Sequence, residues 1–230
     1  MIGTRTTASA KPIHTALQRR HLTWWQPLSL ASLALSVIVA LASYRYLLGI
    51  PPVPDDIALN TFATPWLVLH AGSASTALLL GAVQSFPIPR GRSPSVHRIT
   101  GRLYVLSCLA GALSGFVLAL GTNAGLVASF GFGLLATAWA VVNVLGWQRA
   151  WVGQYASHRR WMIRSWALTL SAVTLRLYLP IAEIADLPSP AAYQAISFLC
   201  WVPNLIIAEL FLRARGGFSR TTVPHRPFAP

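Results

Sequence analysis

Six long apolar runs, separated by short polar segments, follow one another along the chain. They lie at about residues 28–48, 65–86, 99–120, 125–147, 161–182 and 191–212. Each run approaches or exceeds the roughly 20 apolar residues that a bilayer-crossing helix requires. Of the 230 residues, 54% are hydrophobic and only 10% are charged, so the chain has too little polar surface for a water-soluble domain. The pattern predicts an all-α protein, a polytopic transmembrane helical bundle with six spans.

The first apolar run allows a second interpretation, since Ala40-Leu41-Ala42 resembles the cleavage site of a signal peptide. Cleavage would leave five spans and would not change the orientation of the others. The polar flanks complete the predicted organisation: a basic, flexible tail over residues 1–26, the helical bundle over 27–213, and a second basic tail over 214–230.

Arginine and lysine occur in alternate polar segments, and this alternation predicts the orientation of the bundle. The basic segments are residues 1–26, 87–102, 148–160 and 213–230, and the segments 49–64, 121–124 and 183–190 have neither residue. Short cytoplasmic loops are enriched in basic residues, so both chain ends are predicted to be cytoplasmic, with the bundle in a bacterial inner membrane. Topology thus explains the formal charge of +13, and nucleic acid is not a predicted partner.

Two helix starts at the predicted cytoplasmic boundary combine histidine with arginine. The third span opens with His97, Arg98 and Arg102, and the fifth opens with His158, Arg159, Arg160 and Arg164. Because a helix N-terminus is already positive, these arginines indicate an anionic group nearby. Anionic lipid is the simpler interpretation. In the sharper one, His97 and His158 are the axial metal ligands of heme b, the arginines pair with its propionates, and the protein exchanges electrons with quinone.

Two further polar residues are predicted inside the outer half of the bundle. His70 shares a helix face with small and polar residues, so it is either a satisfied core histidine or a proton relay or cofactor ligand. On the fifth span, one stripe contains His158, Met162, Ser165, Thr169, Ala172 and Arg176. Arg176 is predicted to snorkel or to pair with Glu183, or else to have a functional role within the membrane.

Transport is the alternative function that these residues suggest. In a transporter or proton-coupled carrier, His70, Thr169 and Arg176 would line a polar path, although the spans are predicted to be continuous apart from a kink at Pro203. A non-enzymatic membrane assembly or lipid-binding protein is the third hypothesis. The lipid bilayer is the one partner that all three share.

Small residues predict how the third and fourth spans pack. They recur at four-residue intervals, as Ser107, Gly111, Gly115 and Ala119 on the third span and as Gly125, Ser129, Gly133 and Thr137 on the fourth. Membrane helices associate through close backbone approach, so these two spans are predicted to form a tight antiparallel pair.

The remaining polar signals are local. Glu209 and Arg213 are spaced for an ion pair within the last span. Near the kink at Pro203, the amide of Asn204 is expected to bind a freed backbone group. Cys108 and Cys200 lie inside apolar runs, which favours small buried thiols over a disulfide or a zinc site.

Several of these segments resemble one known family. They are residues 70–86, His97-Arg98 with Gly101, Arg102 and Tyr104, the run His158-Arg159-Arg160-Trp161-Met162 with Arg164 and Ser165, and Thr174-Leu175-Arg176-Leu177-Tyr178. Over about residues 65–182 the chain resembles the uncharacterised bacterial membrane protein family catalogued as domain of unknown function 2306. The resemblance implies a multi-span membrane protein and adds no activity.

Overall fold

The computed structural model describes residues 30–51, 59–85 and 94–218, and these ranges are almost entirely helical. The helices are α1 (30–44, followed by a 3-10 turn at Arg45–Leu48), α2 (Ala63–Ser85), α3 (Pro94–Leu120), α4 (Leu126–Trp151), α5 (Tyr155–Thr169), α6 (Ser171–Ile184), α7 (Ser189–Leu199) and α8 (Val202–Phe218). No strand occurs within the described ranges. The predicted N-terminal tail and the part of the C-terminal tail beyond residue 218 lie outside them.

Six helical segments of the described chain are long and apolar enough to cross a membrane. The first four are Leu30–Leu48, α2, α3 and α4, and the last two are Tyr155–Ile184, which joins α5 to α6, and Pro190–Arg215, which joins α7 to α8. The predicted all-α bundle with six spans is therefore confirmed. Inner and outer are used below for the sides that the arginine distribution predicts.

Four helices form the core of the bundle. Helix α3 packs between α2 and α4, α4 packs on α5, and α5 returns to α2, so α3 and α5 face each other across the centre. Helix α7 lies on α4 and α6, and α8 lies on α5. On the opposite side, Val39 and Ala40 of α1 pack against Leu78 of α2 and Val173 of α6. Spans two to five thus surround an interior that can hold polar groups away from lipid.

Both of the last two spans are interrupted along their length. The break at Cys200 and Trp201 precedes Pro203, which has no N–H to continue the helix, and Asn204 Nδ2 donates to the carbonyl oxygen of Cys200 at 3.1 Å as predicted. The break at Leu170 was missed by the prediction of a continuous fifth span. There the hydroxyl of Thr174 donates to the Leu170 carbonyl at 3.2 Å, and such back-bonding bends helices.

The small residues of α3 contact two helices. Helices α3 and α4 are neighbours, as predicted, but the small residues predicted to pack from the fourth span do not pack tightly: Thr137 is exposed, and a Cβ on Gly133 would meet only Phe116, at 3.9 Å. However, a Cβ placed on Gly111 would lie 2.9 Å from the Trp139 ring of α4 and 3.4 Å from the Ser73 hydroxyl of α2, and one on Gly115 would lie 2.9 Å from His70 Cε1. The glycine face therefore leaves room for a polar side chain of α2 as well as for α4.

Candidate functional site

A cavity of about 230 Å³ occupies the outer half of the bundle. It extends from Trp139 and Thr169, near the centre, to Asn60 and Thr122 in the loops of the predicted outer side. Helices α1 to α7 all contribute to its wall. The cavity is the place where the described polar residues of the outer half meet.

His70 lies on this cavity with its ring orientation set by the backbone of α3. Its Nδ1 is 2.9 Å from the carbonyl oxygen of Gly111. Because a carbonyl oxygen can only accept, Nδ1 bears the proton in the neutral ring, and Nε2 keeps its lone pair as an acceptor. Gly115 admits the ring, since a side chain there would collide with it. The imidazole is thus oriented as a proton acceptor beside an internal cavity.

Arg176 lines the same cavity from α6 and is only partly exposed. Its Nη1 donates to the carbonyl oxygen of Ala172 at 3.0 Å, and its Nη2 donates to the hydroxyl of Ser43 at 2.7 Å. The predicted pairing with Glu183 is not observed: within the described ranges, the one ion pair joins Arg164 to Glu209. Nor does the side chain snorkel, because its guanidinium is bound inside the bundle. Its positive charge is compensated only by neutral groups of the described chain.

On the inner side of the cavity, a buried network of hydrogen bonds connects side chains at the centre of the bundle. Tyr104 Oη lies 2.8 Å from Ser165 Oγ and 2.9 Å from Thr169 Oγ1. The indole Nε1 of Trp139 donates to Thr169 Oγ1 at 3.0 Å, and Ser165 Oγ donates to Asn143 Oδ1 at 2.9 Å. Such a network is stable in an apolar interior because its members satisfy one another.

Asn143 and Trp139 were missed as partners in this network when the sequence was considered alone. Asn143 did offer a signal, since it is the one carboxamide within the apolar run 125–147. A polar side chain at that depth requires an internal partner. Trp139 offered no such signal, because its indole N–H is indistinguishable in the sequence from those of the interfacial tryptophans.

The two histidines of the heme hypothesis lie at matching levels of α3 and α5. Tyr104 and Ser165 are hydrogen-bonded in the central network. His97 lies seven residues before Tyr104, and His158 lies seven residues before Ser165. Seven residues make about two helical turns, or roughly 10 Å of rise. His158 Nδ1 lies 2.8 Å from the Gly146 carbonyl oxygen, whereas the His97 side chain is exposed at the start of α3.

The arginines near these histidines have different environments. Arg98, Arg102, Arg159 and Arg160 are exposed. Arg164 instead forms a two-pronged ion pair with Glu209 of α8, with Nη2 and Oε2 3.0 Å apart, and its guanidinium lies 4.7 Å from the Trp161 ring centroid. The predicted pair of Glu209 with Arg213 is therefore wrong, because the nearer partner comes from another span.

Metal-ligating residues do not cluster in the part of the chain that the structure describes. No group of three or more histidine, cysteine or acidic side chains there has the spacing of a metal site. Cys108 and Cys200 are buried free thiols, as predicted. The structure does bring together His70, Thr169 and Arg176, the three residues of the transport hypothesis, on one cavity.

Comparison with known proteins agrees with this architecture and gives no activity. The family model described as "Predicted membrane protein (DUF2306)" matches residues 67–212. The match includes the sixth span, which the resemblance noted over residues 65–182 had left out. No curated protein and no solved structure matches the chain. Because the model covers more than half of the sequence, this integral membrane protein belongs to the DUF2306 family.

Proposed function

We propose that this chain is a proton-coupled carrier of a small anion, which binds in the outer cavity. The observation that supports it is that Arg176 and His70 line the same cavity. A permanent cation and a titratable nitrogen at one site are the two groups that an anion–proton carrier requires.

The cost of a buried charge favours an anionic ligand. Placing an arginine at the centre of a membrane span costs about 2.5–3.5 kcal/mol on insertion scales, and a charge in the outer half also requires compensation by a counter-charge or water. Ala172 and Ser43, which bind the guanidinium, are both neutral. An anion in the cavity would supply the missing counter-charge.

Protonation of His70 would couple the anion to a proton. The Nδ1 hydrogen bond to Gly111 leaves Nε2 as the atom that gains the proton. The resulting imidazolium adds a second positive charge beside Arg176 and so strengthens anion binding. Loss of that proton on the other side of the membrane weakens binding and favours release.

The interrupted helices adjoin the cavity. Thr169 and Ser171 flank the break at Leu170, Cys200 lies in the break of the sixth span, and all three residues line the cavity. Discontinuous helices at mid-membrane depth are common around the substrate sites of secondary transporters. These two breaks are the positions at which outer helix halves would move relative to inner ones.

Uptake into proteoliposomes tests the proposal. The purified chain should accumulate radiolabelled organic anions when the external buffer is more acidic than the lumen, and Arg176→Gln and His70→Gln should abolish accumulation. Arg213→Gln, which removes an exposed arginine of α8, is the matched control and should retain it. Absence of uptake for every anion, or full activity of Arg176→Gln, would contradict the proposal.

A heme b protein that exchanges electrons with quinone is the second candidate. It is favoured by the equal placement of His97 and His158 relative to the contact between Tyr104 and Ser165. In addition, the Nδ1 bond of His158 to Gly146 leaves its Nε2 as the possible ligand atom, which is the usual arrangement for a ligating histidine.

Absorbance spectra distinguish this candidate from the carrier. Protein purified from heme-replete cells should show a reduced-minus-oxidised difference spectrum that disappears in both His97→Ala and His158→Ala, with His70→Ala as the control. A colourless preparation would exclude the heme hypothesis and would leave the carrier proposal unaffected.

A further inference from the structure

We infer that Ser75 and Ser171 bind the transported anion beside Arg176, and that this anion is an oxyanion with a carboxylate or phosphate group. The inference rests on the proposed carrier function and specifies how the cavity holds the ligand. Both serines line the cavity, and they are only 3% and 8% exposed. Within the ranges that the structure describes, neither hydroxyl has a hydrogen-bond partner. A buried hydroxyl without a partner is unfavourable, so the two serines indicate a ligand in the cavity.

Other serine hydroxyls of these spans bind their own helix. Ser43 and Ser73 each donate to the carbonyl oxygen four residues earlier, at 2.6 Å. Such back-bonding is a common way for a serine inside a helix to satisfy its hydroxyl. Ser36 Oγ also has no partner in the described chain, but it is fully buried and lies outside the cavity wall. The hydroxyls of Ser75 and Ser171 are thus available as donors to a molecule in the cavity.

Helix packing places Ser75 at the level of Arg176. Leu78 of α2 and Val173 of α6 belong to one buried cluster. Ser75 lies three residues before Leu78, and Arg176 lies three residues after Val173. Because α2 and α6 run in opposite directions across the bundle, both steps lead about one turn toward the outer side and stay on the same helix face. Ser75 and Arg176 therefore line the cavity at the same depth.

A hydrogen bond between neighbouring residues supports this placement. Arg176 donates to Ser43 of α1. The next residue of α1 is Tyr44, whose hydroxyl lies 2.9 Å from Thr76 Oγ1 of α2. Thr76 directly follows Ser75 in the sequence. Helices α1, α2 and α6 thus meet at one level, with the guanidinium and the Ser75 hydroxyl on the cavity that they share.

Ser171 lies on the inner side of the same guanidinium. It directly precedes Ala172, whose carbonyl oxygen accepts from Arg176 Nη1 at 3.0 Å. It is also the first residue of α6 after the break at Leu170. Helices α2 and α6 therefore each contribute one available hydroxyl near Arg176.

The set of donors matches an oxyanion. The guanidinium of Arg176 has five N–H donors, and Ala172 and Ser43 accept two of their bonds. Three N–H groups and the hydroxyls of Ser75 and Ser171 can therefore donate to a ligand. A carboxylate or phosphate group has several acceptor oxygens that point in different directions, so it can accept from donors on separate helices.

The cavity also limits the class of the ligand. A halide ion would fill only a small part of its volume of about 230 Å³. In the proposed function, His70 becomes a second cation on the cavity wall when it is protonated, so the cavity can hold an oxyanion with either one or two negative charges. The oxygen acceptors of the ligand, and not its charge alone, determine which anions bind.

Thermal unfolding in detergent, with and without anions, tests the inference. Butyrate, inorganic phosphate and chloride are each titrated into the purified full-length chain in acidic buffer. A ligand that binds the folded state raises the unfolding midpoint as its concentration increases. We expect butyrate or phosphate to raise the midpoint and chloride to have little effect. The comparison of butyrate with phosphate shows which of the two groups the site takes.

Serine variants test the two hydroxyls. Ser75→Ala and Ser171→Ala should each weaken binding of the oxyanion about tenfold or more, because each removes a hydrogen bond to a charged group. Without the anion, neither substitution should lower the unfolding midpoint, since neither hydroxyl has a partner to lose. Ser73→Ala is the matched control on α2. Its hydroxyl binds the carbonyl oxygen of Leu69 and does not line the cavity, so the variant should bind the oxyanion normally.

The possible failures are distinguishable. Unchanged oxyanion affinity in either variant, or a lower midpoint of that variant without the anion, would overturn the binding role of that serine. Equal stabilisation by chloride would overturn the ligand class. Absence of stabilisation by both butyrate and phosphate would overturn the whole inference. The carrier proposal is decided separately by Arg176-dependent uptake into proteoliposomes, which none of these results replaces.

Discussion

Arg176 Nη2 donates to Ser43 Oγ at 2.7 Å, and this hydrogen bond joins the fifth span to the first across 133 positions of the chain. The contact closes one side of the outer cavity, since both residues line it. It also explains how an arginine is retained inside the membrane without an acidic partner among the described residues. The first span therefore contributes directly to the site that we propose for the anion.

Removal of the Ser43 hydroxyl should destabilise the bundle. Side-chain hydrogen bonds between membrane helices contribute about 0.6 kcal/mol on average and up to roughly 1.7 kcal/mol. We expect Ser43→Ala to lower the free energy of unfolding in mixed micelles within this range, measured by circular dichroism. Ser95→Ala is the matched control, because Ser95 also accepts from an arginine, Arg98, but is exposed. Equal effects of the two substitutions would contradict the structural role of the buried contact.

Gly115 should be required for the position of His70. A Cβ at Gly115 would lie 2.9 Å from His70 Cε1, whereas one at Gly133 would meet nothing nearer than Phe116 at 3.9 Å. Gly115→Ala is therefore expected to displace the imidazole and to break its bond to Gly111, and Gly133→Ala is not. Nitrogen-15 spectra of labelled histidine report the Nδ1–H tautomer directly. An unchanged His70 tautomer signal in Gly115→Ala would contradict the described packing.

Because of the central network, Thr169 should contribute more to the free energy of unfolding than an exposed threonine of the same local geometry. Thr169 and Thr137 both donate to the carbonyl four residues earlier in their helix, but only Thr169 accepts from Trp139. Thr169→Val leaves that indole N–H buried without a partner, at a cost of about 1–3 kcal/mol. Unfolding measurements should show this loss and little change in Thr137→Val. A loss of similar size in both would show that helix back-bonding, and not the network, is responsible.

Arg164 of α5 and Glu209 of α8 form an ion pair, and they should show a measurable coupling energy between the two spans. The two side chains are 22% and 34% exposed, so we expect a coupling of about 1 kcal/mol, at the upper end for accessible pairs. A double-mutant cycle of Arg164→Gln and Glu209→Gln measures it. The same cycle with Arg213→Gln in place of Arg164→Gln should give a smaller value. A larger coupling energy for Arg213 with Glu209 than for Arg164 with Glu209 would instead support the local pair that helical spacing suggested.

Cysteine labelling should place both histidine-containing helix starts on one side of the membrane. Cys108 and Cys200 are buried, so they should react little with a membrane-impermeant maleimide. Ser95→Cys and Tyr155→Cys occupy exposed positions beside the two helix starts, and Leu126→Cys and Ile184→Cys occupy exposed positions at the other end. In intact spheroplasts, only the second pair should be labelled. Opposite accessibility of Ser95→Cys and Tyr155→Cys would remove the heme hypothesis.

The sequence by itself determined the class of the protein and the number of its spans. Span length depends on the thickness of the bilayer and on local composition, because a helix satisfies its backbone hydrogen bonds within its own segment. The inward orientation of Ser165 and Thr169 on the fifth span could also be predicted, because helical spacing alone places them on one polar face. The kink near Pro203 and the role of Asn204 were predicted correctly because they too involve neighbours in sequence.

Only the tertiary structure decided which polar side chains meet. Helical spacing favoured Glu209 with Arg213 and Arg176 with Glu183, yet Glu209 binds Arg164, and Arg176 binds Ser43 on the first span. These contacts depend on the relative rotation and depth of separate spans, which packing of small residues and shape complementarity set collectively. A polar residue within a membrane needs an internal partner, so its presence can be recognised in the sequence, but the identity of that partner is a property of the assembled bundle.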